Sequence, residues 1–175
     1  MAKTQRFFDK LSSADHMPWE KKNPGYIFQA KPLVINASPE KVWFDVRDPN
    51  TYYQHSQGAI WAHVNGPVEV NASISFKIFK DKLIGKFIPQ SYERICAVND
   101  SKKIIGWKRV LPLGLGTTER FQVLEPSEDG QSTNSYIALR VPGLVGFFTN
   151  CFLRGTIESS FNELNNGIKQ SAEHS

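Results

Sequence analysis

The chain has 175 residues, of which 40% are hydrophobic and 22% charged, the make-up of one ordinary globular domain with a real core. Its net charge of +4 is scattered, with no Lys/Arg block longer than the pairs Lys21-Lys22 and Lys102-Lys103, which argues against a nucleic-acid partner. No apolar run approaches the ~20 residues that cross a bilayer, and "MAKTQRFFDK" lacks the apolar core of a secretory signal, so a cytoplasmic protein is expected.

Residues 1–25 read as an N-terminal extension to a domain spanning 26–175. Phe7, Phe8 and Leu11 form one face of a short helical pattern, and "NPG" at 23–25 is a turn signal. "YIFQAKPLVIN" (26–36) has strand composition, with Pro32 marking an edge or bulge. Ser38 then suits an N-cap, Pro39 the first helical position and Glu40 the positive end of the helix dipole. Pro49 forces its predecessor out of helical angles, ending the helix, and Asp48 can cap a second one carrying Tyr52 and Tyr53. Two short helices in series follow from this capping chemistry.

Strands and turns come next. Ile60–Val64 and Ile74–Phe79 flank "NGPVEVN". Phe87–Val98, Ile104–Leu111, Thr117–Leu124 and Asn134–Val141 are separated by "NDSKK", "PLGLG" and "EPSEDGQST". From Leu144 to about Ala172 a helical stripe runs through Phe148, Cys151, Phe152, Ile157, Phe161, Leu164 and Ile168. The order predicts an α+β fold. A seven-stranded curved antiparallel sheet wraps a long C-terminal helix, with two short helices after the first strand.

"INASPEKVWFDVRDPNTYYQHS" resembles the opening of the START-like (SRPBCC, polyketide cyclase/dehydrase) superfamily, the helix-grip fold shared with the birch-pollen allergens. The resemblance continues through "NGPVEVNASISFKI", with Asn71 where glycine is usual. It then runs through "CAVNDSKKIIGW", "TERFQVLEPSEDGQST" and "FNELNNGIKQSAE", covering roughly residues 27–173. It implies a long helix lying across a concave sheet over a cavity for a hydrophobic or amphipathic ligand, with the short helices plugging one end. Members of the superfamily include lipid carriers, quinone-binding proteins, aromatic polyketide cyclases and chaperone activators, so the fold does not select a function.

Centring the "PLGLG" turn on Gly114 pairs Arg109 with Glu119, Trp107 with Phe121 and Ile105 with Val123, all on one face. Centring the next turn near Asp129 adds Ile137 and Leu139. The expected ligand-binding set is therefore Phe76, Ile78, Trp107, Arg109, Glu119, Phe121, Ile137 and Leu139 from the sheet, with Phe148 and Phe152 from the helix. Arg109 and Glu119 read either as a polar anchor for a ligand head group or as a cross-strand ion pair worth ~0.2–1 kcal/mol. In a meander the segments 80–86, 112–116 and 142–146 gather at one end. Their Leu83, Ile84, Leu113, Leu115, Leu144 and Val145, flanked by Lys80, Lys82 and Lys86, read as local core or as a greasy mouth suited to brief membrane contact.

The sequence has no phosphate loop, GxSxG elbow, HExxH or CxxC. His55 and His63 lack further ligands for a metal, and Cys96 and Cys151 are expected as core-facing free thiols. No catalytic residue, metal or cofactor is assigned. The leading expectation is a binding or transport protein for a lipid-like, quinone-like or aromatic molecule. The alternative is a cyclase or hydro-lyase on a poly-carbonyl or aromatic substrate, with Arg109 and Glu119 orienting a carbonyl and moving a proton. A third reading is an interaction module using the same groove for a protein partner.

Overall fold

The computed structural model describes residues 25–78, 90–128 and 130–174. Phe7, Phe8 and Leu11 of the extension, and Leu83, Ile84 and the three lysines of 80–86, lie outside the described residues.

The first strand is broken at Pro32 into β1 (Tyr26–Gln29) and β2 (Leu33–Ile35), because proline has no N–H to give to a ladder. Both pieces pair with the same neighbour, β8 (Thr133–Val141), so they share one position in the sheet. The remaining strands are β3 (Ile60–Val64), β4 (Ser73–Ile78), β5 (Ser91–Asn99), β6 (Ile104–Val110) and β7 (Thr117–Pro126). Every pairing is antiparallel, in the order β1-β8-β7-β6-β5-β4-β3, which gives seven positions across the sheet. Asn71, in the turn before β4, has φ of 75° and so takes the left-handed conformation that glycine adopts most easily.

Between β2 and β3 come α1 (Pro39–Arg47), a single 3₁₀ turn over Pro49–Thr51 and α2 (Tyr52–His55). Ser38 Oγ accepts from Lys41 N at 3.4 Å, and Asp48 Oδ1 accepts from Asn50 N at 3.0 Å. The buried Tyr52 hydroxyl donates to Val46 O at 2.7 Å, so the second helix folds back onto the end of the first. The indole of Trp43 and the guanidinium of Arg47 both donate to Asp100 Oδ1, at 2.9 and 2.6 Å, tying α1 to the turn after β5.

The long helix α3 (Gly143–His174) crosses the concave face. Its C-terminal half buries Ile157, Phe161, Leu164, Ile168 and Ala172 against Phe28, Ile35, Ile60, Phe76, Trp107, Ile137 and Leu139 of the sheet. Gly167 makes the closest approach, since a β-carbon there would overlap the His55 carbonyl. The N-terminal half is different. Leu144, Phe147, Phe148, Cys151 and Phe152 are exposed, Phe152 by 76%. Of the expected stripe only the part from Ile157 onward faces inward; before it the core is met by Val145, Gly146 and Leu153 instead, and Cys151 is a surface thiol.

The register of β6 and β7 differs by one residue from the one expected. Val110 pairs with Thr117 and Leu111 N bonds Gly116 O, so the hairpin centres between Leu113 and Gly114. Leu113, Gly114 and Gly116 all have positive φ. A shift of one residue turns every side chain of β7 over. Trp107 therefore faces Arg120, Ile105 faces Gln122, and Arg109 faces Thr118. Glu119 and Phe121 lie on the convex face. There Glu119 Oε2 accepts from Arg140 Nη2 at 2.6 Å, and the Phe121 ring covers the space left by the missing β-carbon of Gly106.

Candidate functional site: buried donors on the concave face

Along the concave face, β6 presents Ile105, Trp107 and Arg109, and β7 presents Thr118, Arg120, Gln122 and Leu124. Leu139 and Ile137 of β8 sit opposite Arg120 and Gln122. Phe76 and Ile78 come from β4 on the same side. Of the residues expected there, Phe76, Ile78, Trp107, Arg109, Ile137 and Leu139 share this face; Glu119, Phe121, Phe148 and Phe152 do not.

The centre of the site is Arg120, 5% exposed. Its guanidinium carbon lies 3.8 Å from the centroid of the Phe76 ring, 5.2 Å from that of Phe161 and 5.6 Å from that of Trp107. Burial pushes its pKa below the ordinary arginine value, and the negative charge of Glu93 opposes that shift. Arginine stays protonated under any such shift of ordinary size. Its Nε and Nη1, and the Nε1 of Trp107, are buried without a hydrogen-bond partner. Each of these atoms can only donate.

Gln122 and Tyr52 complete the polar group. Tyr52 Oη stands 3.2 Å from Gln122 Oε1, and Gln122 Nε2 is without a partner. The tyrosine has a single proton, already directed to Val46 O at 2.7 Å. Rotating the glutamine amide by a half turn lets Nε2 donate to Tyr52 Oη and turns Oε1 into the interior. That resolves the glutamine and turns one acceptor toward the cavity that Arg120 and Trp107 also line; one neutral oxygen cannot serve all three donors or balance the guanidinium charge. Burial also drives the Tyr52 phenol far above its ordinary pKa, so it is a neutral hydroxyl.

Tyr52, Ile60, Phe76, Trp107, Arg120, Gln122, Ile137, Phe161 and Leu164 line a cavity of ≈ 10 Å³, about the space of one water molecule. Near the start of β5, Arg109 Nη1 donates to Ser91 Oγ at 3.3 Å, and Ser91 Oγ donates to Glu93 Oε1 at 2.7 Å. Ser91, Glu93, Arg109 and Thr118 are half-buried, so solvent reaches this polar strip while Arg120 below it is dry. The acidic neighbour of Arg109 on this face is thus Glu93, reached through Ser91, in place of Glu119. A larger hollow of ≈ 360 Å³, lined by Ser73, Ile74, Ser75, Tyr92, Glu93, Arg94, Lys108, Arg109 and Val110, is open to solvent.

Sequence reasoning passed over Arg120, Gln122, Glu93 and Ser91. The signal that could have placed Arg120 inward is Gly106. A glycine beside an aromatic marks where that ring lies flat on the sheet, which puts Phe121 outside and both its strand neighbours inside.

No family model matches the sequence, and no curated protein sequence is similar to it. Solved structures are similar in fold. A protein of Thermus thermophilus superposes with a TM-score of 0.62 at 14% identity, over 84% of this chain and 97% of its own. The Zhui aromatase/cyclase of a Streptomyces species gives 0.60 at 12% identity, over 85% and 94%. Norcoclaurine synthase of Thalictrum flavum, in complex with dopamine and hydroxybenzaldehyde, gives 0.61 at 13% identity, over 87% and 90%. With the strand order, the two short helices and the long closing helix, these likenesses identify the fold as a helix grip.

Proposed function

We propose that the protein binds a small hydrophobic or amphipathic molecule inside the helix grip, with the polar end of the guest at Trp107 and Arg120. The observation that carries this reading is the set of buried donors without partners on an otherwise apolar concave face. A near-filled interior taken alone favours an interaction module. A protein that only needed a packed core would gain nothing from a dry arginine there, since a buried unpaired charge costs several kcal/mol. A guest displaces what fills the ≈ 10 Å³ cavity and shifts Phe161 and Leu164 of its roof. The bound dopamine and hydroxybenzaldehyde of the structurally similar norcoclaurine synthase support an aromatic guest. Native mass spectrometry of the purified chain tests the reading. A co-purifying mass lost on solvent extraction supports it, and a bare chain that takes up no aromatic or aliphatic compound counts against it.

The enzyme alternative keeps the same pocket with different residues from those expected. A substrate carbonyl oxygen would accept from Trp107 and Arg120, and Glu93, on the same face, would take a proton. The aromatase/cyclase among the similar structures supports this version. Product formation from a short poly-carbonyl substrate, lost in Glu93→Gln, would favour it over simple binding.

Membrane contact is supported by a separate observation. From Val141 to Leu153 the chain has no charged residue, and Leu144, Phe147, Phe148 and Phe152 of this segment are exposed. Leu113, at the tip of the β6–β7 hairpin, is 95% exposed. No helix of the described residues is long and apolar enough to cross a membrane, so this contact would be with a bilayer surface.

A further inference from the structure

We propose that the molecule taken into this interior has a carboxylate head on an apolar body, and that Arg120 and Trp107 receive the carboxylate. The inference rests on the small-molecule reading above and adds the chemistry of the guest.

Nε and Nη1 of Arg120 and Nε1 of Trp107 are donors with no acceptor, and none of the three can be converted into an acceptor by rotation or tautomerism. The amide oxygen of a rotated Gln122 can accept from at most two of them and carries no charge, so the guest must bring the remaining acceptors. Among the described residues Arg120 has no salt bridge, and its guanidinium is nearly out of solvent. Ring contacts with Phe76 and Phe161 stabilise the cation as a whole, without hydrogen-bonding its N–H groups. A water molecule in the cavity could accept two hydrogen bonds and would leave the charge uncompensated. A carboxylate supplies two oxygens in the geometry of the guanidinium fork together with the missing negative charge. An ammonium head would meet a like charge with no acceptor of its own.

The walls beyond the donors are Ile60, Phe76, Ile137, Phe161 and Leu164, all apolar, while the half-buried strip of Ser91, Arg109 and Thr118 marks the side from which solvent comes. A head held at Arg120 leaves its body among apolar side chains.

Calorimetric titration with three matched compounds tests this: naphthalene carboxylic acid, the corresponding methyl ketone and the corresponding aminomethyl compound. The acid is expected to bind about tenfold or more tightly than the other two at neutral pH. Arg120→Met should abolish that preference, and Arg120→Lys, which keeps the charge and loses the fork, should retain part of it. If either variant fails to fold, the other and the wild-type selectivity still decide. Equal binding of all three, or preference for the amine, overturns the head-group proposal and leaves the small-molecule reading standing. No binding by any of them, with no co-purifying mass, overturns both.

Discussion

Trp107 and Arg120 are directly opposed across β6 and β7, and the guanidinium carbon lies 5.6 Å from the indole ring centre. Both are buried, and both hold donors without acceptors. The relationship depends on the parity of the turn between them. With the hairpin centred one half-residue later, Trp107 would meet Phe121 and the arginine would face outward.

A first prediction concerns stability. Replacing Arg120 by methionine removes a dry charge and keeps most of the volume, so Arg120→Met should be as stable as the wild type or up to about 3 kcal/mol more stable in urea unfolding. A loss of more than about 1 kcal/mol would mean that the contacts of the cation with Phe76, Phe161 and Trp107 outweigh its desolvation.

The two carboxylates Glu93 and Glu119 separate site from scaffold. Glu119→Gln weakens a largely buried bond to Arg140 on the convex face and should cost about 2 kcal/mol of stability with ligand affinity unchanged. Glu93→Gln should alter affinity, raising it for an acid, with a smaller stability effect. The reverse pattern would place the functional face on the other side of the sheet.

The two thiols should differ sharply. Cys151 is exposed, whereas burial and the charge of Glu119 push the Cys96 thiol up to about 12. An alkylating reagent at pH 8 is therefore expected to modify one cysteine in the folded protein and the second only on unfolding, as read by mass spectrometry. Because the folded pKa is raised, the contribution of Cys96 to stability is complete below its unfolded value of 9.0 and fades as pH rises toward 12. Two equally fast thiols would show that β5 opens freely around Ile95–Ala97, where its register against β6 shifts.

For the bare segment of α3, Phe148→Ser with Phe152→Ser should reduce co-flotation with anionic vesicles severalfold and leave the unfolding free energy within about 0.5 kcal/mol of the wild type, since these side chains are largely in solvent. A large stability loss would show instead that they pack within the protein.

The fold was legible because its signals are local. Ser38-Pro39 and Asp48-Pro49 mark the two helix starts, and the strand order follows from consecutive turns. The site was less legible because facing depends on turn parity, and "PLGLG" does not state whether its centre falls on Gly114 or before it. Apolar alternation gave no correction, since Phe121 and Val123 are buried on the convex side and look like core. The stripe of α3 misled because one of its steps is five residues. From Phe152 to Ile157 the helix turns by five residues, so Phe148 and Phe152 fall on the opposite side from Ile157 and Phe161, whose face is continued toward the N-terminus by Leu153 and Gly146.

The contact of Gly167 with the His55 carbonyl leaves no gap between α3 and the short helices, and the Ser135–Asn165 hydrogen bond of 2.9 Å stands nearby on the same half of the helix. At that end the described residues offer no exit. A guest of the kind proposed would retreat along the path by which it came, head group first. Residence time would then be governed by how easily the charged head leaves Arg120 and by the length of apolar body drawn out behind it.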